Sequence, residues 1–306
     1  MSRPKTTASI FEIERYATKD GPGIRTVVFF KGCNLRCAWC QNPESQRFEK
    51  EIMYYINACV KCGKCLEACP NNAIRYDETY GFISNPDRCS ACGLCVDQCL
   101  YGARALMGTE YTPEGLFEIV KKDLDFYQES GGGITVSGGE PLLNPDFLVE
   151  FFTLCKSPGI HIAIETAGNV PWETFEKVMP FTDLFFFDVK HIDDEVHQFW
   201  TGVSNKNILK NLERLASTAP NIIIRTPVIP GVNDDEAVLE RIFYRVNDLN
   251  ITTMELLPYH RLGLSKYRGL GRAYKLASIE SMELSELEKY VALGKKMGLN
   301  VSAGAI

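Results

Sequence analysis

The chain has 306 residues, of which 45% are hydrophobic and 24% charged, a composition that suits a folded globular protein and excludes a disordered one. Its net charge of −6 disfavours a non-specific nucleic-acid binder, and no apolar run approaches the ~20 residues that cross a bilayer. Residues 1–5 lead into polar sequence instead of an apolar signal stretch, so a cytoplasmic location is expected, and the twelve cysteines read as metal or redox ligands.

Strands are predicted at 9–15 and 26–31 from their β-branched and aromatic content. Cys33, Cys37 and Cys40 follow the second of these. Residues 53–107 then change texture, becoming Cys-rich and turn-rich without long apolar periodicity. They read as a small module inserted into a larger domain made of residues 1–52 and 108–306. From Thr112 onward the pattern is regular. A helix is predicted over 113–128, with Thr112 as N-cap and Pro113 at the first helical position. Strands at 134–137, 161–165, 184–189, 222–228 and 252–257 alternate with helices at 145–156, 172–179, 205–217, 234–247 and 280–297. This alternation is that of a parallel α/β sheet, flat or curved toward a barrel, which binds its ligands at the carboxyl ends of the strands.

The inserted module carries the run Cys59-x2-Cys62-x2-Cys65-x3-Cys69-Pro70 and then repeats it as Cys89-x2-Cys92-x2-Cys95-x3-Cys99. This is the bacterial ferredoxin spacing, in which the fourth cysteine of each run serves the other cluster. One [4Fe-4S] cluster is therefore assigned to Cys59, Cys62, Cys65 and Cys99, and a second to Cys69, Cys89, Cys92 and Cys95. Paired Cys-x2-Cys spacings also suit zinc, but eight cysteines in a doubled ferredoxin pattern favour cubanes. Cys33-x3-Cys37-x2-Cys40 is different: three thiolates on a cubane leave one iron open to a ligand.

That loop, with Trp39 before its last cysteine, resembles the signature of radical S-adenosylmethionine (radical SAM) enzymes. Gly138-Gly139-Glu140-Pro141, closing a strand, supports the same class, and the resemblance narrows to the glycyl radical enzyme activating enzymes through Asp20-Gly21-Pro22-Gly23-Ile24-Arg25-Thr26, Phe30-Lys31-Gly32-Cys33, Trp39-Cys40-Gln41-Asn42-Pro43-Glu44-Ser45, Ile164-Glu165-Thr166-Ala167-Gly168, Asp188-Val189-Lys190, Arg225-Thr226-Pro227-Val228-Ile229-Pro230-Gly231 and Leu256-Leu257-Pro258-Tyr259-His260. It implies a partial (β/α)6 TIM-like barrel with an inserted ferredoxin-like domain. It also implies three [4Fe-4S] clusters, S-adenosylmethionine and a monovalent cation at the Glu165 site, where the pyruvate formate-lyase activating enzyme has Asp in place of Glu. The implied reaction cleaves S-adenosylmethionine reductively to methionine and a 5′-deoxyadenosyl radical, which abstracts hydrogen from a glycine Cα of a partner enzyme.

By the same resemblance Asp188 and Lys190 take catalytic roles beside the three cysteines. Trp39, Gln41, Gly138, Gly139, Glu140, Glu165, Thr166, Val189, Arg225 and His260 contact S-adenosylmethionine. Arg225 stands in an apolar strand, where a charge is costly unless paired, and the implied partner is the cofactor carboxylate. The expected partners are a glycyl radical enzyme, entering by its glycine loop, and flavodoxin or ferredoxin as electron donor, with no nucleic acid or membrane and a monomeric state. The module's clusters are expected to carry electrons toward the three-cysteine site, with docking of the glycyl radical enzyme as the competing role. Two other functions remain alternatives: a ferredoxin-type electron carrier and a radical peptide maturase. His161, His191 and His197 match no site motif, Cys155 reads as a small core residue, and Phe185, Phe186 and Phe187 read as strand core.

Overall fold

The computed structural model describes residues 6–219 and 221–304; the polar start at 1–5 lies outside them. Strand β1 (Ala8–Ala17) pairs antiparallel with β2 (Arg25–Phe30). The chain then leaves this sheet. It forms β3 (Glu51–Tyr54), α1 (Lys64–Glu67), β4 (Ile74–Asp77), β5 (Gly81–Ser84), α2 (Leu94–Asp97) and β6 (Arg104–Met107), with β3 against β6 and β4 against β5. Strand β7 (Thr109–Tyr111) brings it back alongside β1.

The remainder runs α3 (Pro113–Val120), α4 (Leu124–Ser130), β8 (Gly133–Gly138), α5 (Pro145–Lys156), β9 (His161–Thr166), α6 (Trp172–Val178), β10 (Leu184–Asp188), α7 (Asp194–Thr201), α8 (Lys206–Ala216), β11 (Ile222–Val228), α9 (Glu236–Asp248), β12 (Thr253–Pro258), α10 (Leu264–Gly269), α11 (Glu288–Lys296) and β13 (Asn300–Ala303). One sheet results, in the order β13-β12-β11-β10-β9-β8-β2-β1-β7. From β13 to β2 all neighbours are parallel. The end strands β13 and β7 do not pair, so the curved sheet is a partial barrel of the TIM type, open along one side.

Side chains alternate between its two faces. Val28, Phe30, Val136, Ile164, Phe187, Ile224 and Met254 point outward and are fully buried under the helices, each removing apolar surface worth about 1.5–3 kcal/mol. Cys155 on α5 joins them in that core. The inner face is polar. Glu14, Ser137, Glu165, Phe186, Arg225 and Glu255 line an open cavity of about 1320 Å³. The phenylalanine run is thus divided: Phe185 and Phe187 meet the helices, while Phe186 faces the lumen.

Several elements differ from the sequence expectation. The six predicted barrel strands are present as β2 and β8–β12, and β13 adds a seventh parallel strand that was too short to register as a pattern. The predicted helix 113–128 breaks at Lys121–Asp123. There buried Asp123 accepts from Arg15 Nε and Thr26 Oγ1, both at 2.8 Å, and these bonds pull the turn onto the sheet. The predicted helix 280–297 begins later, because Glu283 and Glu286 form a capping box ahead of a 3-10 turn at Leu284–Leu287. Helix α7 was not foreseen: it has few apolar positions, and one of them, Phe199, is 73% exposed.

Candidate active site

The cysteine loop sits at the carboxyl end of β2, and backbone contacts set its path. Gly32 adopts φ +101° and donates to Ser45 O at 2.7 Å. Beyond the paired strands, Gly139 N–H donates to Phe30 O at 2.8 Å and Glu140 N–H to Gly32 O at 2.9 Å, carrying the β2–β8 ladder into both loops. A Cβ on Gly139 would stand 2.2 Å from the Gly32 oxygen, so this approach requires glycine. From the other side the last turn of α7 offers carbonyls: Arg36 N–H donates to Thr201 O at 2.7 Å and Ala38 N–H to Trp200 O at 2.9 Å. Held between these supports, Cys33, Cys37 and Cys40 have their thiols pushed up by burial, Cys40 to about 12, and the Cys37 sulfur raises both neighbours further. Three half-buried thiols at this spacing are a donor set whose ionisation a bound cationic cluster would favour.

The ends of β9, β10 and β11 supply the polar groups. Asp188 and Lys190 form an ion pair of 2.5 Å. Burial works against the Lys190 charge, but Asp188 and the sulfurs of Cys37 and Cys33 outweigh it and hold the ammonium above its ordinary value. Val189 between them is buried. It donates to Arg225 O at 2.9 Å and accepts from Thr226 Oγ1 at 2.7 Å. Asn233, fully buried and not foreseen from sequence, donates to Lys190 O at 2.9 Å and Pro227 O at 2.8 Å while accepting from Ile229 N–H. Its only sequence signal is a polar residue after Pro230-Gly231, which is ordinary turn composition.

Glu140 is completely buried, and its carboxylate is already engaged. Oε1 accepts from Thr166 Oγ1 at 2.8 Å and from Leu142 N–H at 3.2 Å, and Oε2 accepts from Ala167 N–H at 3.0 Å. Burial raises its pKa to about 7 against the pull of these bonds. Thr166 passes the restraint on by accepting from Gly168 N–H at 2.9 Å. Glu140 and Thr166 thus tie the Gly138–Gly139 turn to the end of β9.

Arg225 faces the lumen, not the mouth. The partner that its burial demands is a pair of carboxylates from flanking strands, Glu165 and Glu255, the latter at 2.8 Å. The guanidinium also lies 3.7 Å from the Phe186 ring centroid. Glu165 takes a second hydrogen bond from Ser137 Oγ. Glu255 escaped the sequence reading because only the β11–β12 register sets it opposite Arg225. Trp39 packs in a small core with Ile229, Tyr259, Tyr267 and Tyr274, and Gln41 lines the rim of the open cavity. His260, buried after β12, accepts at Nδ1 from Leu262 N–H at 3.2 Å, leaving its Nε2 without a partner among the described residues.

In the segment between β2 and β8 the eight remaining clustered cysteines separate into two cavities. Cys59, Cys62, Cys65 and Cys99 line one, and Cys69, Cys89, Cys92 and Cys95 the other. Among the described residues no three such side chains converge on a single-ion point; a cubane instead takes thiolates spread around it. These donor sets fit iron–sulfur clusters. The unpartnered His260 Nε2 and the half-buried Asp188–Lys190 pair fit a polar ligand beside the three-cysteine loop.

The radical SAM superfamily model matches residues 87–242, and the 4Fe-4S dicluster domain model matches residues 58–103. A partial parallel barrel with a cysteine loop at its carboxyl mouth and these two matches defines an iron–sulfur enzyme of the radical SAM class, which uses S-adenosylmethionine. Over 280 residues the chain is 42% identical to the (2S)-3-sulfopropanediol dehydratase activating enzyme of Klebsiella oxytoca, covering 89% of this chain and 88% of that one. The trans-4-hydroxy-L-proline dehydratase activating enzyme of Clostridioides difficile is 40% identical over 96% of this chain and 98% of its own. The chain belongs to the glycyl radical enzyme activating enzymes, a branch of that class. Streptococcus suis SuiB bound to its precursor peptide SuiA shares the fold alone, with a TM-score of 0.54 and 12% identity over 89% of this chain and 46% of that one.

Proposed function

We propose that this protein installs a radical on a glycine of a partner glycyl radical enzyme, using the three-cysteine loop as its reaction centre. One observation carries the assignment: Cys33, Cys37 and Cys40, the Gly138–Gly139 turn and the Asp188–Lys190 pair converge at the carboxyl mouth of a barrel that is open along one side. When bound, a [4Fe-4S] cluster on the three cysteines and S-adenosylmethionine on its open iron supply one-electron cleavage to methionine and a 5′-deoxyadenosyl radical that takes hydrogen from a glycine Cα.

The chain's own residues bind and orient. The Gly138–Gly139 turn, held tight against Phe30 and Gly32, presents its backbone to the cofactor amino group. Lys190, kept charged by Asp188, meets its carboxylate, and Asp188 the ribose. His260 donates from its unpartnered Nε2 toward the adenosyl portion. Glu140 acts as a positioning residue through Thr166 and Ala167, since its own oxygens are taken. Arg225, balanced by Glu165 and Glu255, forms the polar floor under the mouth, and a monovalent cation at Glu165 would compete with it. The unpaired side between β13 and β7 admits the partner's glycine loop to the lumen.

Two further [4Fe-4S] clusters, one on each four-cysteine set, relay electrons from flavodoxin or ferredoxin to this centre, in a monomeric cytoplasmic enzyme. Relatives of nearly equal identity serve chemically different targets, so the target is recognised by surfaces around the mouth and the chemistry is common to them. An electron carrier alone would leave the Asp188–Lys190 pair and the open three-cysteine set without a role. Anaerobically reconstituted protein reduced with dithionite should convert S-adenosylmethionine to 5′-deoxyadenosine, and Lys190→Ala should lower that rate at least ~100-fold with unchanged iron content. Intact S-adenosylmethionine with the wild-type protein would sink the proposal.

A further inference from the structure

The two halves of the cysteine module share a backbone but not a surface. Gly63 and Gly93 precede α1 and α2 with φ +78° and +85°, and Lys61 and Ala91 hold matching left-handed angles of +59° and +51°. The side chains at equivalent places differ. Lys61 and Lys64 stand where the second run has Ala91 and Leu94, and Leu100 and Tyr101 stand where the first has Pro70 and Asn71. Around exposed Cys62 the surface therefore combines two exposed ammonium groups with apolar Val60, Leu100 and Tyr101, the last two 80% and 56% exposed. Neither ammonium makes an ion pair among the described residues, and the acid one turn on is common to both halves, Glu67 on α1 and Asp97 on α2.

The two cavities also differ in their place along β3. Glu51 at its start is bound to Lys31 of the barrel and to Arg272. Ile52 lines the Cys69/Cys89/Cys92/Cys95 cavity, and Tyr54, two residues further on, lines the Cys59/Cys62/Cys65/Cys99 cavity.

We propose that the Lys61–Lys64 surface around Cys62 is the docking site of an acidic, one-electron donor protein. The proposal rests on the relay described above and gives it an entry point. A chain of net charge −6 repels an acidic protein over most of its surface, so two unpaired lysines ringed by apolar side chains both orient the donor and give it a desolvated contact. The donor is oxidised by one electron, the cluster on Cys59, Cys62, Cys65 and Cys99 is reduced by one, and no bond or proton is transferred.

The test uses the fully reconstituted chain and an acidic flavodoxin. Binding of oxidised flavodoxin is measured at low and high salt, and S-adenosylmethionine cleavage is followed with reduced flavodoxin or with dithionite. In Lys61→Glu/Lys64→Glu both flavodoxin affinity and the flavodoxin-driven rate should fall roughly tenfold, with the dithionite-driven rate unchanged. Placing the same charges at the equivalent positions of the second run, Ala91→Glu/Leu94→Glu, should cost less than about twofold. Lys61→Gln/Lys64→Gln should give the same pattern more weakly and guards against a folding defect. Equal losses in the second-run variant, or unchanged flavodoxin binding in both lysine variants, overturn the docking site while wild-type cleavage under dithionite keeps the function standing. Failure of the wild type to cleave under dithionite removes the function itself.

Discussion

At the scale of single residues, the site depends on positions whose side chain is either absent or silent. Gly139 is the first kind. Since an added methyl would overlap the Gly32 carbonyl oxygen, Gly139→Ala must push β8 away from the cysteine loop. We expect about 2–4 kcal/mol of destabilisation, read from thermal melts, and loss of S-adenosylmethionine cleavage. His197 is the second kind. Burial holds it below its ordinary value of 6.5, although its Nδ1 bonds Val203 O at 2.8 Å. Below that pH the unfolded chain takes up a proton that the folded protein resists, so this site costs the folded state more stability as pH falls. His197→Gln does not titrate there. The lead in Tm of wild type over His197→Gln should therefore shrink from about pH 7.5 to about pH 5.5, and a lead that grows on acidification contradicts the assignment.

At the scale of elements, the break between α3 and α4 shows tertiary bonding overriding helical continuity. Asp123 anchors Arg15 of β1 and Thr26 of β2 from a position that is 1% exposed. Removing it leaves the buried Thr26 hydroxyl without that partner and a half-exposed cation without its counter-charge. Asp123→Ala should cost about 2–4 kcal/mol, visible as a lower Tm. Because Asp123 lies behind the sheet and away from the cysteine loop, the cleavage rate per folded molecule should stay near wild type. Helix α7 makes the opposite case: it contributes little core, yet its last carbonyls hold Arg36 and Ala38 and so shape the loop between Cys33 and Cys40.

At the scale of the whole molecule, the proposed function gives the barrel and the cysteine module separable parts of the chemistry. Cys37→Ala should remove about a third of the bound iron, one cubane of three, and abolish S-adenosylmethionine cleavage with any reductant. Cys62→Ala should lose a similar share of iron, keep cleavage under dithionite and slow it with flavodoxin. Iron analysis with both rate measurements checks the pair. Normal flavodoxin-driven activity in Cys62→Ala would falsify the relay through that cluster.

The sequence alone determined what depends on short-range spacing. Cys33-x3-Cys37-x2-Cys40 and the doubled ferredoxin runs are legible because cluster ligation needs cysteines at small fixed intervals. The strand–helix alternation is legible because a buried sheet face and an amphipathic helix each impose a period. Asp188 and Lys190 also lie close enough in the chain to be read as one unit, and the structure joins them at 2.5 Å. Tertiary structure decided the rest. Arg225 finds Glu165 sixty residues away and Glu255 thirty away, and no local pattern encodes which charges meet across strands. Glu140, read as a contact for the cofactor, is turned inward to Thr166 and Ala167 because its turn is folded against β9. Strand β13 exists because β12 offers it an edge, with too few residues of its own to specify a strand. Local chemistry writes ligands and periods into the chain, whereas the partner of a buried charge and the end of a sheet are set only when distant segments pack.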